Sequence, residues 1–199
     1  MSITVSEKTG KQVPPGTHLA VCYRIVDLGT QPDTGFGQKE KLVLFFELPH
    51  ERDTFDGREM PMGISKFYTK SLGKRASLRK DLESWRGRPF TAVELEKFDL
   101  AAILGKGCQL QVIDDKGRSK VSAVVGLPKG TTTPPPFNPI MEFSVSEGKD
   151  SPKFAMLPDW VKSMASECIE WDDSAAPATS MPTSAAGAPA VDDSSEIPF

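Results

Sequence analysis

From Lys39 to Leu48 the chain reads KEKLVLFFEL, and Leu42, Leu44, Phe46 and Leu48 fall on every second position. Successive side chains of a strand point to opposite sides, so these four residues form one continuous apolar face. On a helix they would be scattered around the axis. A strand this one-sided must be covered, which commits the chain to a sheet with a buried face. The other face carries Lys39, Lys41, Val43 and Phe45, a mixture of cations and an aromatic expected to meet solvent or a ligand.

Residues 17–28, THLAVCYRIVDL, alternate in the same way, with Leu19, Val21, Tyr23 and Ile25 on one face and Ala20, Cys22 and Arg24 on the other. Between these two strands, residues 29–38 hold three glycines and a proline, and a flexible loop is expected. Residues 49–61, with Pro49, Asp56-Gly57 and Pro61, read as a turn-rich connection into a third strand over 62–70. The period then changes. Leu78, Leu82 and Trp85 recur at helical spacing, which predicts an amphipathic helix over 71–88 with Trp85 on its core side. Thr91 and Glu94 form a capping box, so a second short helix runs through Phe98. Residues 108–114 and 119–126 are strands joined by the turn Asp115–Arg118. Lys129–Pro139 is an extended connector, Glu142–Val145 an edge strand, and Pro158–Glu170 a last helix.

Three strands, a helical region and two more strands follow the element order of an oligonucleotide-binding (OB) barrel. The expected fold class is mainly β: a five-stranded OB barrel with inserted helices, followed by a disordered C-terminal tail. An open α+β sheet has the same periodicity and stays as the alternative.

Composition matters most at the C-terminal end. Residues 174–191 are almost wholly Ala, Ser, Thr, Pro, Gly and Met, too little apolar surface to offset the entropy of ordering. The chain thus divides into a domain over 1–171, a linker over 172–191 and an acidic tip over 192–199. Charge divides with it: residues 1–150 carry 22 Lys and Arg against 19 Asp and Glu, residues 151–199 carry 2 against 8. A mildly basic core with an acidic tail points to a polyanionic partner for the core.

The cations concentrate between Lys66 and Arg88, where Lys66, Lys70, Lys74, Arg75, Arg79, Lys80, Arg86 and Arg88 face only Asp81 and Glu83, with Phe67, Tyr68 and Trp85 interleaved. Proteins that hold a single nucleic-acid strand need cations to track phosphates and rings on which bases stack. The candidate strand-binding residues are Arg24, Phe36, Lys39, Lys41, Phe45, Lys66, Tyr68, Lys70, Lys74, Arg75 and Arg79. Tyr68 rather than Phe67 is assigned to the ligand side, because Lys66 and Lys70 share its face.

Other chemistries find no support. Cys22, Cys108 and Cys168 lie far apart and form no CxxC pair, so neither a disulfide framework nor a zinc knuckle is expected. No nucleophile elbow, P-loop, HExxH or dinucleotide fingerprint is present. No enzyme activity, metal or cofactor is expected. No run approaches the length of a membrane span and no signal peptide is visible, so the expected location is a reducing cytosol. A homo-oligomer is compatible with the sequence.

The last residues are the most specific. Asp192, Asp193 and Glu196 precede Ile197, Pro198 and Phe199 with its free carboxylate. Proline limits the backbone freedom lost on docking, and a terminal aromatic with a carboxylate suits an apolar pocket rimmed by Arg or Lys. This end resembles the C-terminal tip of bacterial single-stranded DNA-binding proteins, with Ser194-Ser195 replacing part of the acidic run. The resemblance implies a tip that recruits replication and recombination enzymes, joined by a linker to an OB barrel. The stretches Ile64–Thr69, Leu78–Phe90 and Ile103–Lys106 are similar to phage-encoded single-stranded DNA-binding proteins, which implies sequence-nonspecific binding of single-stranded DNA inside a bacterial host. A protein-interaction adaptor or inhibitor that imitates the tip without binding DNA is the competing reading.

Overall fold

A computed structural model describes residues 12–32, 35, 37–55 and 57–171. Phe36, the expected linker 172–191 and all six tip residues named above lie outside the described residues.

Six strands form one sheet: β1 (Gly16–Gln31), β2 (Lys39–Phe55), β3 (Arg58–Thr69), β4 (Gly107–Asp114), β5 (Ser119–Val125) and β6 (Met141–Ser144). The first five are antiparallel in the order β3-β2-β1-β4-β5. β1 is 16 residues long. Residues 16–21 of β1 pair with β4, and Arg24–Asp27 pair with β6 in parallel. The five-stranded closed barrel is thereby corrected to a six-stranded open sheet with β3 and β5 at its ends. Helix α1 (Ser77–Arg86) lies across the gap between those ends. Its Asp81 accepts a hydrogen bond from Lys66 Nζ of β3, and its Ser84 carbonyl accepts from the Gly126 N–H just after β5.

The expected face of β2 is buried: Leu42, Leu44, Phe46 and Leu48 pack with Ala20, Cys22 and Ile25 of β1, Cys108, Leu110 and Val112 of β4, and Leu78 and Leu82 of α1. Burying each large side chain contributes roughly 1.5–3 kcal/mol. Trp85 packs on this core as expected, its ring 5.9 Å from that of Phe46 and its Nε1 donating to Gly107 O at 2.8 Å. The capping box forms at Thr91 and Glu94 and opens α2 (Ala92–Glu96).

Several boundaries differ. The turn-rich segment instead extends the β2–β3 hairpin, which closes through Gly57 at φ 76°, a left-handed conformation that glycine takes without a Cβ clash. Helix α1 starts at Ser77, not Ser71; Gly73 is costly inside a helix, and the preceding segment folds back in turns instead. The last helix, expected over Pro158–Glu170, is shorter, α4 (Asp159–Ser166), and a separate one-turn helix, α3 (Pro152–Ala155), precedes it.

The larger surprise is a second core on the opposite side of the sheet. Val26 and Leu28 of β1 and Val43 and Phe45 of β2 are buried beneath Met141, Phe143, Val145, Leu157, Val161 and Ala165. Residues 141–171 thus cover the face of β2 expected to be open. β1 serves both cores because of a bulge between Cys22 and Arg24: Cys22 pairs with Phe46, Arg24 with Phe45, and Tyr23 has no partner. The extra residue reverses the alternation, so Ile25 rather than Arg24 follows Cys22 onto the inner face.

Candidate functional site

The bulge aims two consecutive side chains, Tyr23 and Arg24, at the outer face of the sheet. The Arg24 guanidinium lies 5.5 Å from the Tyr23 ring centroid and 5.6 Å from that of Phe45. Phe45 continues the cluster to Trp160 of α4 at 5.6 Å, and Trp160 meets Phe67 of β3 edge-on at 5.8 Å. Phe45 is buried, whereas Phe67 and Trp160 are each 44% exposed. The outer face of β1–β3 therefore presents two aromatic rings to solvent, backed by two more and by an arginine.

Each outer ring has a local reason for its position. Within α4, Val161 and Ala165 are fully buried, and one position earlier Trp160 falls to the rim of that stripe. Phe67 pairs with Val43 and Tyr68 with Leu42, so it is Phe67 that faces outward. Tyr68 points into the main core, against the sequence expectation. Its hydroxyl donates to Asp81 Oδ2 at 2.7 Å, and Lys66 Nζ donates to the same oxygen at 2.7 Å and to Ser122 O at 3.2 Å. Burial, and then the Asp81 charge, push the Tyr68 phenol far above its usual range, so it stays a neutral donor. Burial also raises the Tyr23 phenol, with Arg24 opposing.

Most of the basic patch is committed to internal ion pairs. Lys70 reaches Asp27 at 2.8 Å and Glu40 at 3.7 Å; Arg79 reaches Glu83 at 2.9 Å; Arg86 and Arg88 both hold Glu94. Together with Lys66, these account for five of the eight cations. Lys74, Arg75 and Lys80 are exposed and have no carboxylate partner among the described residues. On β2, Lys39 is exposed opposite Gln31, and Lys41 is half-buried opposite Thr69, on the same outer face as Phe45. Of the expected strand-binding residues, the structure brings together Arg24 and Phe45, aligns Lys39 and Lys41 on the same face of β2, and sets Lys66 and Tyr68 on the inner one.

Two outer-face features escaped the sequence. Trp160 was legible only as one apolar residue of a helix. Glu47, 1% exposed, accepts hydrogen bonds from Phe137 N–H (2.6 Å), Asn138 N–H (3.0 Å) and Asn138 Nδ2 (2.8 Å). One buried carboxylate thereby ties the Thr- and Pro-rich connector across the outer face beside the aromatic cluster. A Glu between Phe46 and Leu48 reads as an ordinary strand position until its partners are seen.

Among the described residues no group of three or more His, Cys, Asp or Glu side chains is placed to hold a metal ion, and no helix is long and apolar enough to cross a membrane. The three cysteines are buried and unpaired, and burial pushes the Cys22 thiol up to about 12. No protein-family model, curated protein or solved structure matches this chain, so the geometry of the outer face carries the functional argument.

Proposed function

We propose that this chain is a sequence-nonspecific single-stranded DNA-binding protein of the kind phages encode. Bases stack on the outer face of β1–β3, and the acidic tip at Asp192–Phe199 recruits replication and recombination enzymes. The observation that carries this reading is the pair of half-exposed rings, Phe67 and Trp160, held edge to face above Phe45. Stacking on such rings tolerates any base, since every base has a π-face. Soluble domains seldom leave two large rings in contact at the surface without a use.

The fold supports the same reading. The order β3-β2-β1-β4-β5, with the helical segment inserted between β3 and β4, fits an OB barrel opened at the seam between β3 and β5. Helix α1 and the Lys66 bridge to Ser122 span that seam. Lys41 on the outer face and the exposed Lys74, Arg75 and Lys80, just before and on α1, supply charge for phosphates, and the tip keeps the chemistry of a carboxylate-terminated apolar hook.

Fluorescence anisotropy with labelled oligo-dT is the test, with tryptophan emission read in parallel. Salt-sensitive binding is expected, along with quenching that disappears in Trp160→Phe. Trp85 sits on the main core and Trp171 packs against Phe154, so neither should respond. An oligo-dT that is ignored even in dilute buffer, by a protein that still captures replication enzymes through its tip, would establish the adaptor reading instead.

A further inference from the structure

Arg24 is 9% exposed, its Nε is enclosed without a hydrogen-bond partner, and the side chain makes no ion pair among the described residues. A buried guanidinium left this way is costly, because donors removed from water lose hydrogen bonds that nothing replaces. One other enclosed side-chain nitrogen among the described residues lacks a partner, Arg86 Nη1, but that guanidinium is ion-paired to Glu94 through Nη2, whereas Arg24 has no ion pair at all. Glu47, Asp81 and Gln31, the other buried polar side chains, are each hydrogen-bonded. Nor does the strand require arginine at this position. The contacts Arg24 makes are with the flat faces of Tyr23 and Phe45, which an apolar side chain of similar length would fill as well.

We infer that Arg24 is the anion-binding centre of the outer face, taking a backbone phosphate oxygen of a strand whose bases lie on Phe67 and Trp160. This deepens the proposed function and rests on it. Three observations fit together. The bulge at Tyr23 exists at the one point where it turns Arg24 outward. Two ring contacts of 5.6 Å, through Phe45, separate the guanidinium from Trp160. The planar guanidinium, stacked on rings and weakly hydrated, keeps its fork of donors for a phosphate or carboxylate. With an anion bound, the guanidinium gains an acceptor that the described residues do not supply.

The variants Arg24→Met and Arg24→Lys, in the full chain, separate this role from a structural one. Arg24→Met is expected to melt at the same temperature as the parent or up to about 4 °C higher, since it removes an unpartnered buried cation. It should bind oligo-dT at least roughly tenfold more weakly at low salt, with a salt slope shallower by about 0.7, the contribution of one phosphate on a single strand. Arg24→Lys keeps the charge but not the fork, and should fall between the two. A lower melting temperature for Arg24→Met with unchanged affinity and slope overturns the inference and makes Arg24 structural. Weaker binding at an unchanged slope overturns it as well, because the lost contact then carries no phosphate charge. A parent protein that ignores oligo-dT altogether sinks the proposed function and this inference with it. If the parent binds and Arg24→Met binds equally well, only the inference falls.

Discussion

Two clusters in this molecule are built from the same parts. On the inner side of the sheet, Lys66 and Tyr68 meet at Asp81; on the outer side, Arg24 lies against Tyr23 and Phe45. Each sets a cation against an aromatic ring of its own strand, Lys66 against Tyr68 on β3 and Arg24 against Tyr23 on β1. The inner one is closed: the ammonium, the phenol and the carboxylate all have partners within 2.7 Å. The outer one is open, with a guanidinium nitrogen that has no acceptor. A closed polar node in a core holds strands and helix in register. An open one costs stability and is kept where a ligand completes it. Residue type alone would assign both clusters the same role, and hydrogen-bond satisfaction separates them.

The largest effect is expected from breaking the closed node. Asp81→Ala leaves a lysine and a phenol without their acceptor and should lower stability by about 3–5 kcal/mol. Urea denaturation measures this, and the fraction still folded should bind oligo-dT as the parent does. A protein that keeps its stability but loses strand binding would reverse the assignment of the two clusters. Next come the outer rings. Phe67→Ala and Trp160→Ala should each weaken oligo-dT binding by about 1–3 kcal/mol, while costing less stability than truncation of the buried Phe46, for which about 3–5 kcal/mol is expected. Equal losses of stability at Phe67 and Phe46 would mean that the outer face is a core missing its cover.

The assignment of Tyr68 to the ligand side shows what a sequence can and cannot convey here. The inner face of β2 was legible because four apolar residues alternate without interruption, and covering them is the strongest demand on the fold. The partner face of β3 was not, because it depends on register. At the turn end of the hairpin Phe55 faces Arg58 and Arg52 faces Pro61; continued unbroken, that register sets Tyr68 opposite Phe45, on the outer face. The irregularity between Leu48 and Arg52, where Pro49 cannot donate to the ladder, moves the pairing by three residues, and Tyr68 arrives opposite Leu42. An odd shift exchanges the two faces of a strand. The bulge at Tyr23 did the same to Arg24, here turning a correctly chosen residue into an outward one. The cover over Val43 and Phe45 was invisible for a different reason: it comes from residues 141–171, more than 90 positions along the chain, and nothing in local alternation announces it. Capping box, hairpin turn and the core side of Trp85 were all legible, since each depends on neighbours within about a turn or two.

The cations extend the comparison to the surface. Lys66 belongs to the closed node, so Lys66→Ala should reduce stability and leave the salt slope of oligo-dT binding as it was. Lys74, Arg75 and Lys80 have no carboxylate partner among the described residues. Changing all three to Ala should flatten the slope by about 2 at most, at about 0.7 per phosphate on a single strand, with little change in melting temperature. A slope unmoved by the triplet would confine the path of the strand to the outer face, away from α1, which packs on the inner core.

The smallest expected effect asks whether closure matters at the surface too. Glu94 is held well below its ordinary value of 4.5 by the Arg88 guanidinium, with the Thr91 N–H and Arg86 adding to it. Glu83 is lowered in the same direction by the Phe90 N–H and Arg79. A carboxylate whose folded pKa is depressed contributes stability that is fully present above its unfolded value and is lost as pH falls through the folded one. Both groups are at the surface, so water screens the effect. Stability measured by urea midpoint should therefore decline gently as pH drops from about 5 toward about 3. Glu94→Gln, which keeps the shape but cannot ionise, should start slightly lower at neutral pH and decline less over that interval. Parallel curves for parent and variant would mean that the Arg86–Glu94–Arg88 cluster ties α1 to α2 without contributing through its charge. Closure would then be a property of the buried node at Asp81 alone, because only there does the loss of a partner leave groups that water cannot reach.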